Sequence, residues 1–73
     1  MTPKQFRDTC KDFRITNKQI ANCIREIKKN PRWSIAKVDR IYPAIREGIE
    51  TLIVVHYNHD CFESMDLFEM NMN

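Results

Sequence analysis

Ile45-Arg46-Glu47-Gly48-Ile49-Glu50-Thr51-Leu52-Ile53-Val54-Val55-His56-Tyr57 decides the fold of this chain, because it supports two incompatible readings. Read onward from Pro43, the residues Ile45, Ile49, Leu52, Ile53 and His56 recur at helical spacing, with Gly48 weakening the helix by about 1 kcal/mol relative to Ala. Read alone, Thr51 to Tyr57 is β-branched enough for a strand, and pairing with Cys61 to Phe68 across Asn58-His59-Asp60 makes a hairpin. The periodicity, unbroken from Ile45, favours the helix. One glycine in 73 residues points the same way, since a turn-rich β protein normally needs more.

The upstream signals are helical too. Thr2-Pro3 places an N-cap before a proline at the first helical position, and Phe6, Cys10 and Phe13 follow at helical spacing. This helix should fade near Arg14, with Thr16 or Asn17 capping the next. In that second helix Ile20, Cys23, Ile24 and Ile27 form one apolar stripe, opposed by Lys18, Asn22, Arg25 and Lys29. Asn30-Pro31 stops it. Ser34 is then expected to cap a third helix, with Ile35, Val38 and either Ile41 or Tyr42 turned inward. The expected core is Phe6, Phe13, Ile20, Ile24, Ile27, Ile35, Val38, Ile45, Ile49 and Leu52. The fold class expected is mainly α, a small domain of three or four helices. Residues 1–57 form its basic helical body and residues 58–73 an acidic, apolar C-terminal arm.

Charge divides along the same line. All twelve Lys and Arg residues lie between Lys4 and Arg46, and with four acidic residues they give the first 46 residues a net charge of +8. The last 27 residues hold six acidic and no basic side chains, a net of −6. A basic body of this kind suits a polyanion. Lys28, Lys29, Arg32, Lys37 and Arg40 crowd the junction around Asn30-Pro31-Arg32-Trp33 and are the candidate nucleic-acid contacts, with double-stranded DNA as the expected partner. Trp33 could stack on a base or brace the loop, but its size suits a core plug better.

Catalytic signatures are missing. The chain has no glycine-rich phosphate loop, no Gly-x-Ser-x-Gly elbow and no His-Glu-x-x-His, so no enzyme and no cofactor is expected. His56, His59 and Cys61 are zinc-type ligands without the usual Cys-x-x-Cys half-site, and two polar histidines at a helix end beside a packed Cys explain them better; no metal is expected. Cys10, Cys23 and Cys61 are odd in number and widely spaced, which suits reduced thiols, the first two as small core residues. No run approaches the ~18 apolar residues of a membrane span, and the first residues lack a signal-peptide core. A cytoplasmic protein away from the membrane is expected.

The order Met1-Thr2-Pro3-Lys4-Gln5-Phe6-Arg7, then Ile15-Thr16-Asn17-Lys18-Gln19-Ile20-Ala21, resembles the opening of small lambda-repressor-like helix-turn-helix regulators of phage or mobile-element type. In that family an Ala lets two helices cross closely, and Ala21 matches it, with Ile20 and Ile24 as its apolar neighbours and Trp33 like the Trp that often ends the recognition helix. The similarity covers about the first 33 residues. Arg25 stands where the family has a turn glycine, and Pro31 would break its recognition helix, which moves the expected recognition helix to the one starting at Ser34. The resemblance implies a DNA-binding transcriptional regulator, acting as a homodimer on paired half-sites.

A different motif supports the alternative. Ser64-Met65-Asp66-Leu67-Phe68 resembles the Gln-Leu-(Ser/Asp)-Leu-Phe peptide by which bacterial proteins dock on the replicative sliding clamp. Asp66, Leu67 and Phe68 match, while Ser64 replaces the Gln. It implies a phage-type inhibitor or adaptor binding a host protein through Trp33, Met65, Asp66, Leu67 and Phe68.

Overall fold

The computed structural model of the chain describes residues 1–67. It contains two helices and a three-stranded antiparallel sheet, an α+β domain. The elements are α1 (Pro3–Asp12), α2 (Asn17–Lys29), a 3-10 turn (Ile35–Lys37), β1 (Val38–Arg46), β2 (Ile49–Asn58) and β3 (Cys61–Leu67). The expected mainly α, helix-turn-helix-like domain with a trailing arm is therefore corrected: only the first two helices exist.

Both helices begin with the same device. Thr2 Oγ1 accepts from the Gln5 amide at 3.1 Å while Gln5 Oε1 accepts from the Thr2 amide at 2.9 Å. Thr16 and Gln19 repeat the reciprocal pair at 3.2 and 2.9 Å. Each capping box satisfies two amides that the first turn leaves open. At the end of α1 the Ile15 amide donates to the Cys10 carbonyl and the Arg14 amide to that of Lys11. Arg14 sits at φ 64°. This is a Schellman ending with an arginine in the left-handed position usually given to glycine, closed by the buried pair Ile15 and Cys10.

The third helix fails for a local reason. Ser34 makes no side-chain cap bond, and the helix stops after a single 3-10 turn. Beyond it Val38, Ile41 and Tyr42 are β-branched or aromatic, and Pro43 would remove an interior helical bond. In β1, an edge strand, Pro43 is tolerated. The register shifts between Val38 and Arg40, a bulge at Asp39.

Gly48 is not a weak point in a helix but the second residue of a tight hairpin. Arg46 pairs with Ile49 across a two-residue loop in which Glu47 and Gly48 have φ of 54° and 76°. Positive φ at both loop positions is the primed turn whose twist matches antiparallel strands. The second hairpin turns at His59 (φ 57°) and Asp60, with Asn58 paired to Cys61. The hairpin alternative for residues 51–68 is thus the one adopted, through Leu67; Phe68 and the rest of the expected arm, including Glu69, Met70 and Met72, lie outside the described residues.

The helices cover one face of the sheet. Phe6, Cys10, Ile20, Cys23 and Ile27 meet Trp33, Val38, Ile41, Leu52, Val54 and Leu67 in one buried cluster. Alternation along β2 sends Leu52, Val54 and His56 into this cluster and Thr51, Ile53 and Val55 to the outer face. There Arg46 Nε lies 3.4 Å from Asp66 Oδ2, joining β1 to β3 across β2. Of the expected core, Phe6, Ile20, Ile27, Val38 and Leu52 are buried and Ile24 and Ile35 partly so. Phe13, the C-cap of α1, is exposed, as are Ile45 and Ile49, the last two because residues 45–49 form the far hairpin rather than a helix. Burial and the neighbouring Cys23 push the Cys10 thiol up to about 12. None of the three cysteines is in a disulfide.

Two outcomes follow. Gly48→Val should lower the urea midpoint by the equivalent of about 1–2 kcal/mol, the cost of a β-branched residue at positive φ, whereas Gly48→Asn should cost much less. Nothing lies within 4 Å of an added Cβ, so equal losses for the two variants would contradict a conformational origin. A chain ended at Asp60 should lose cooperative urea unfolding, since β2 would be left without β3 and the core without Leu67. Retained cooperativity would show that β3 is an accessory strand.

Candidate nucleic-acid interface

The structure disperses the candidate basic cluster over three surfaces. Lys28 and Lys29 end α2, and Lys29 Nζ contacts Glu26 Oε1 at 2.8 Å. Arg32 reaches Glu63 on β3, with Nη2 2.9 Å from Oε1. Lys37 closes the 3-10 turn. Arg40, opposite Val55, belongs to the outer face of the sheet, away from the helices. No recognition helix gathers them, because residues 38–46 form β1.

A denser basic surface lies on the helical layer. Residues 3–29 hold eight cations against three carboxylates. Lys4 pairs with Asp8 at 3.1 Å and Lys29 with Glu26. Arg7, Lys11, Arg14, Lys18, Arg25 and Lys28 have no ion-pair partner among the described residues. On α2 the buried positions Ile20, Cys23 and Ile27 turn Lys18, Arg25 and Lys28 outward. Arg7 and Lys11 rim a groove of about 370 Å³ between the helices, floored by Ile20, Ala21 and Ile24 with Asn17 at its end. Ala21 leaves this groove open. Sequence periodicity marks Arg7 and Lys11 as outward on their own helix, but only the side-by-side packing of two helices shows that they share a groove.

The protein-binding candidates are mostly structural. Trp33 is buried, its ring stacked on His56 with centroids 4.4 Å apart and planes at 27°. Met65 and Leu67 pack towards the core from β3, and Asp66 holds Arg46. Detaching Ser64–Leu67 as a docking peptide would uncover Leu67 and break β3 from β2. Phe68 lies outside the described residues.

His56 is the most unusual polar group. Its ring is inaccessible to solvent and neither nitrogen has a hydrogen-bond partner among the described residues. Across the strands it faces Val38 and Glu63. His59 occupies the turn, and the Cys61 thiol donates to the Asn58 carbonyl at 3.4 Å. No group of three His, Cys, Asp or Glu able to hold a metal occurs among the described residues. No helix among them is long and apolar enough to cross a membrane.

Burial lowers the His56 pKa below its ordinary 6.5, aided by Lys37 and Arg32 and opposed by Glu63. The unfolded chain therefore binds this proton at a higher pH than the folded one. The stability is complete above about pH 6.5 and is lost as pH falls below it. His56→Phe keeps a ring against Trp33 and removes the proton site. Urea midpoints measured from about pH 7 to about pH 5 should fall less steeply for His56→Phe than for the parent. Parallel profiles would mean that His56 does not contribute to acid sensitivity. Comparison with family models, with curated proteins and with solved structures gives no match to this chain.

Proposed function

We propose that this protein binds nucleic acid without catalysing a reaction, and that the outward side of the α1–α2 layer is its principal contact surface. The observation that supports this reading is the set of cations without ion-pair partners among the described residues, Arg7, Lys11, Lys18, Arg25 and Lys28 on the helices and Arg14 in the turn between them, on one layer of a small domain. Phosphates neutralised by such side chains release condensed counterions, which supplies affinity independent of sequence. Asn17 and the groove floor add polar and apolar contact beside the charge. The reading does not use a helix-turn-helix, since α2 is followed by a 3-10 turn and a strand.

A second reading, the adaptor that binds a host protein, draws on a separate patch. Phe13 is 39% and Ile45 72% exposed, and with Pro43 and Ala44 they line a hollow of about 270 Å³ at the far hairpin. Exposed apolar groups gathered in this way suit a protein contact. Capture of one host protein by the parent but not by Ile45→Asp, with nuclease present, would favour it.

The nucleic-acid reading is tested on the helices. Arg25→Glu/Lys28→Glu should leave the circular dichroism unchanged. The urea midpoint should fall by the equivalent of no more than about 1 kcal/mol, because both side chains are exposed and only Lys28 lies in the last turn of α2. Affinity for labelled DNA should fall, and the slope of log affinity against log salt should shrink by about 2, one phosphate contact per lost cation. An unchanged affinity and slope would remove the helical layer as the contact surface.

A further inference from the structure

The outer face of the sheet carries a second kind of chemistry. Tyr57 and Phe62 are a cross-strand pair at the end of the β2–β3 hairpin, with ring centroids 5.2 Å apart and planes at 58°. They are 47% and 57% exposed, and nothing among the described residues is packed over them. Their aliphatic neighbours Ile53 and Val55 are buried, so this end of the face offers solvent aromatic rings rather than a general apolar surface. Beside the rings, Lys37, Tyr57, His59 and Asp60 line an open hollow of about 590 Å³. Arg40 stands on the same face, one pair further along, opposite Val55. Neither Lys37 nor Arg40 has an ion-pair partner among the described residues. Asp66, the acid in the next row, is engaged by Arg46.

We infer that this face takes single-stranded nucleic acid, with bases stacking on Tyr57 and Phe62 and adjoining phosphates meeting Lys37 and Arg40. The inference rests on the nucleic-acid reading and narrows its substrate class. Any base presents a π-face to an aromatic ring, so stacking needs no sequence, while a duplex keeps its base faces inside the helix and cannot use the rings. Two cations without ion-pair partners among the described residues stand beside the rings, Lys37 with Asp60 in the hollow and Arg40 next to Asp39 at the β1 bulge. The nearby charge is mixed, so the rings are the main attraction. A strand bound here would pass the β1 edge towards the basic helical layer.

The test compares three probes on the full chain by fluorescence anisotropy: a labelled oligothymidylate of about 12 nucleotides, a duplex of the same length, and heparin as a base-free polyanion competitor. The parent should bind the single strand at least about tenfold tighter than the duplex. Tyr57→Leu/Phe62→Leu should lose about tenfold or more on the single strand while holding duplex and heparin affinity. Tyr57→Trp/Phe62→Tyr should restore single-strand binding, which a merely structural role for the leucine variant would not explain. Arg40→Gln, an exposed change that leaves the rings intact, should weaken single-strand binding more than duplex binding. Equal affinity for strand and duplex in the parent, or undiminished oligothymidylate binding by the leucine variant, overturns the inference and leaves the helical contact surface standing. A parent that binds none of the three probes overturns both.

Discussion

Burial of β2 from both sides is the constraint on which the molecule depends. Leu52, Val54 and His56 turn towards α1 and α2, while Thr51, Ile53 and Val55 are buried on the outer face, over which no helix lies among the described residues. The flanking strands contribute to that closure. Tyr42 and Asp66 sit opposite Ile53, and the Arg46–Asp66 pair runs over the strand. An exposed ion pair adds little energy by itself. Its position matters more, since the long Arg46 stem covers apolar surface that would otherwise meet water. Each edge strand is therefore needed twice, once for its ladder and once for its side chains.

The central strand also organises the charge. The helices it holds are basic, and the two hairpins built on it carry acids, Glu47 and Glu50 at the first and Asp60, Glu63 and Asp66 at the second. The ion pairs to these acids come from outside the helices: Arg32 of the loop after α2 meets Glu63, and Arg46 of β1 meets Asp66. The helical cations without ion-pair partners among the described residues, Arg7, Lys11, Lys18, Arg25 and Lys28, are exposed and available to an outside anion. The polarity visible along the sequence is therefore a polarity between layers.

Both helices were legible because their signals are local. Thr2 with Gln5, Thr16 with Gln19, and Asn30-Pro31 specify starts and a stop within a few residues. The sheet was not, and β2 explains why. A strand buried on both faces has no polar alternation, so Thr51 to His56 shows no period of two. The helical spacing of Ile45, Ile49, Leu52, Ile53 and His56 is a coincidence, since Ile49 and Ile53 share one face and Leu52 and His56 the other. Glu47-Gly48 between two β-branched runs was the missed signal, and the only glycine of the chain is spent on it. The site was legible in part. The basic end of α2 can be read from sequence, whereas the Arg7–Lys11 groove depends on helix packing and the Tyr57–Phe62 platform on strand register.

The three thiols give this domain a built-in clock. Cys61 lies on the surface of the hairpin, while Cys10 and Cys23 are sealed where the helices meet the sheet. A thiol held near 12 has almost no thiolate at neutral pH, and its burial bars an alkylating reagent as well. Cys61 therefore reports collision with the reagent, and Cys10 reports how often α1 lifts from the strands beneath it. The ratio of the two labelling rates converts into the free energy of that opening, without denaturant and without an introduced cysteine.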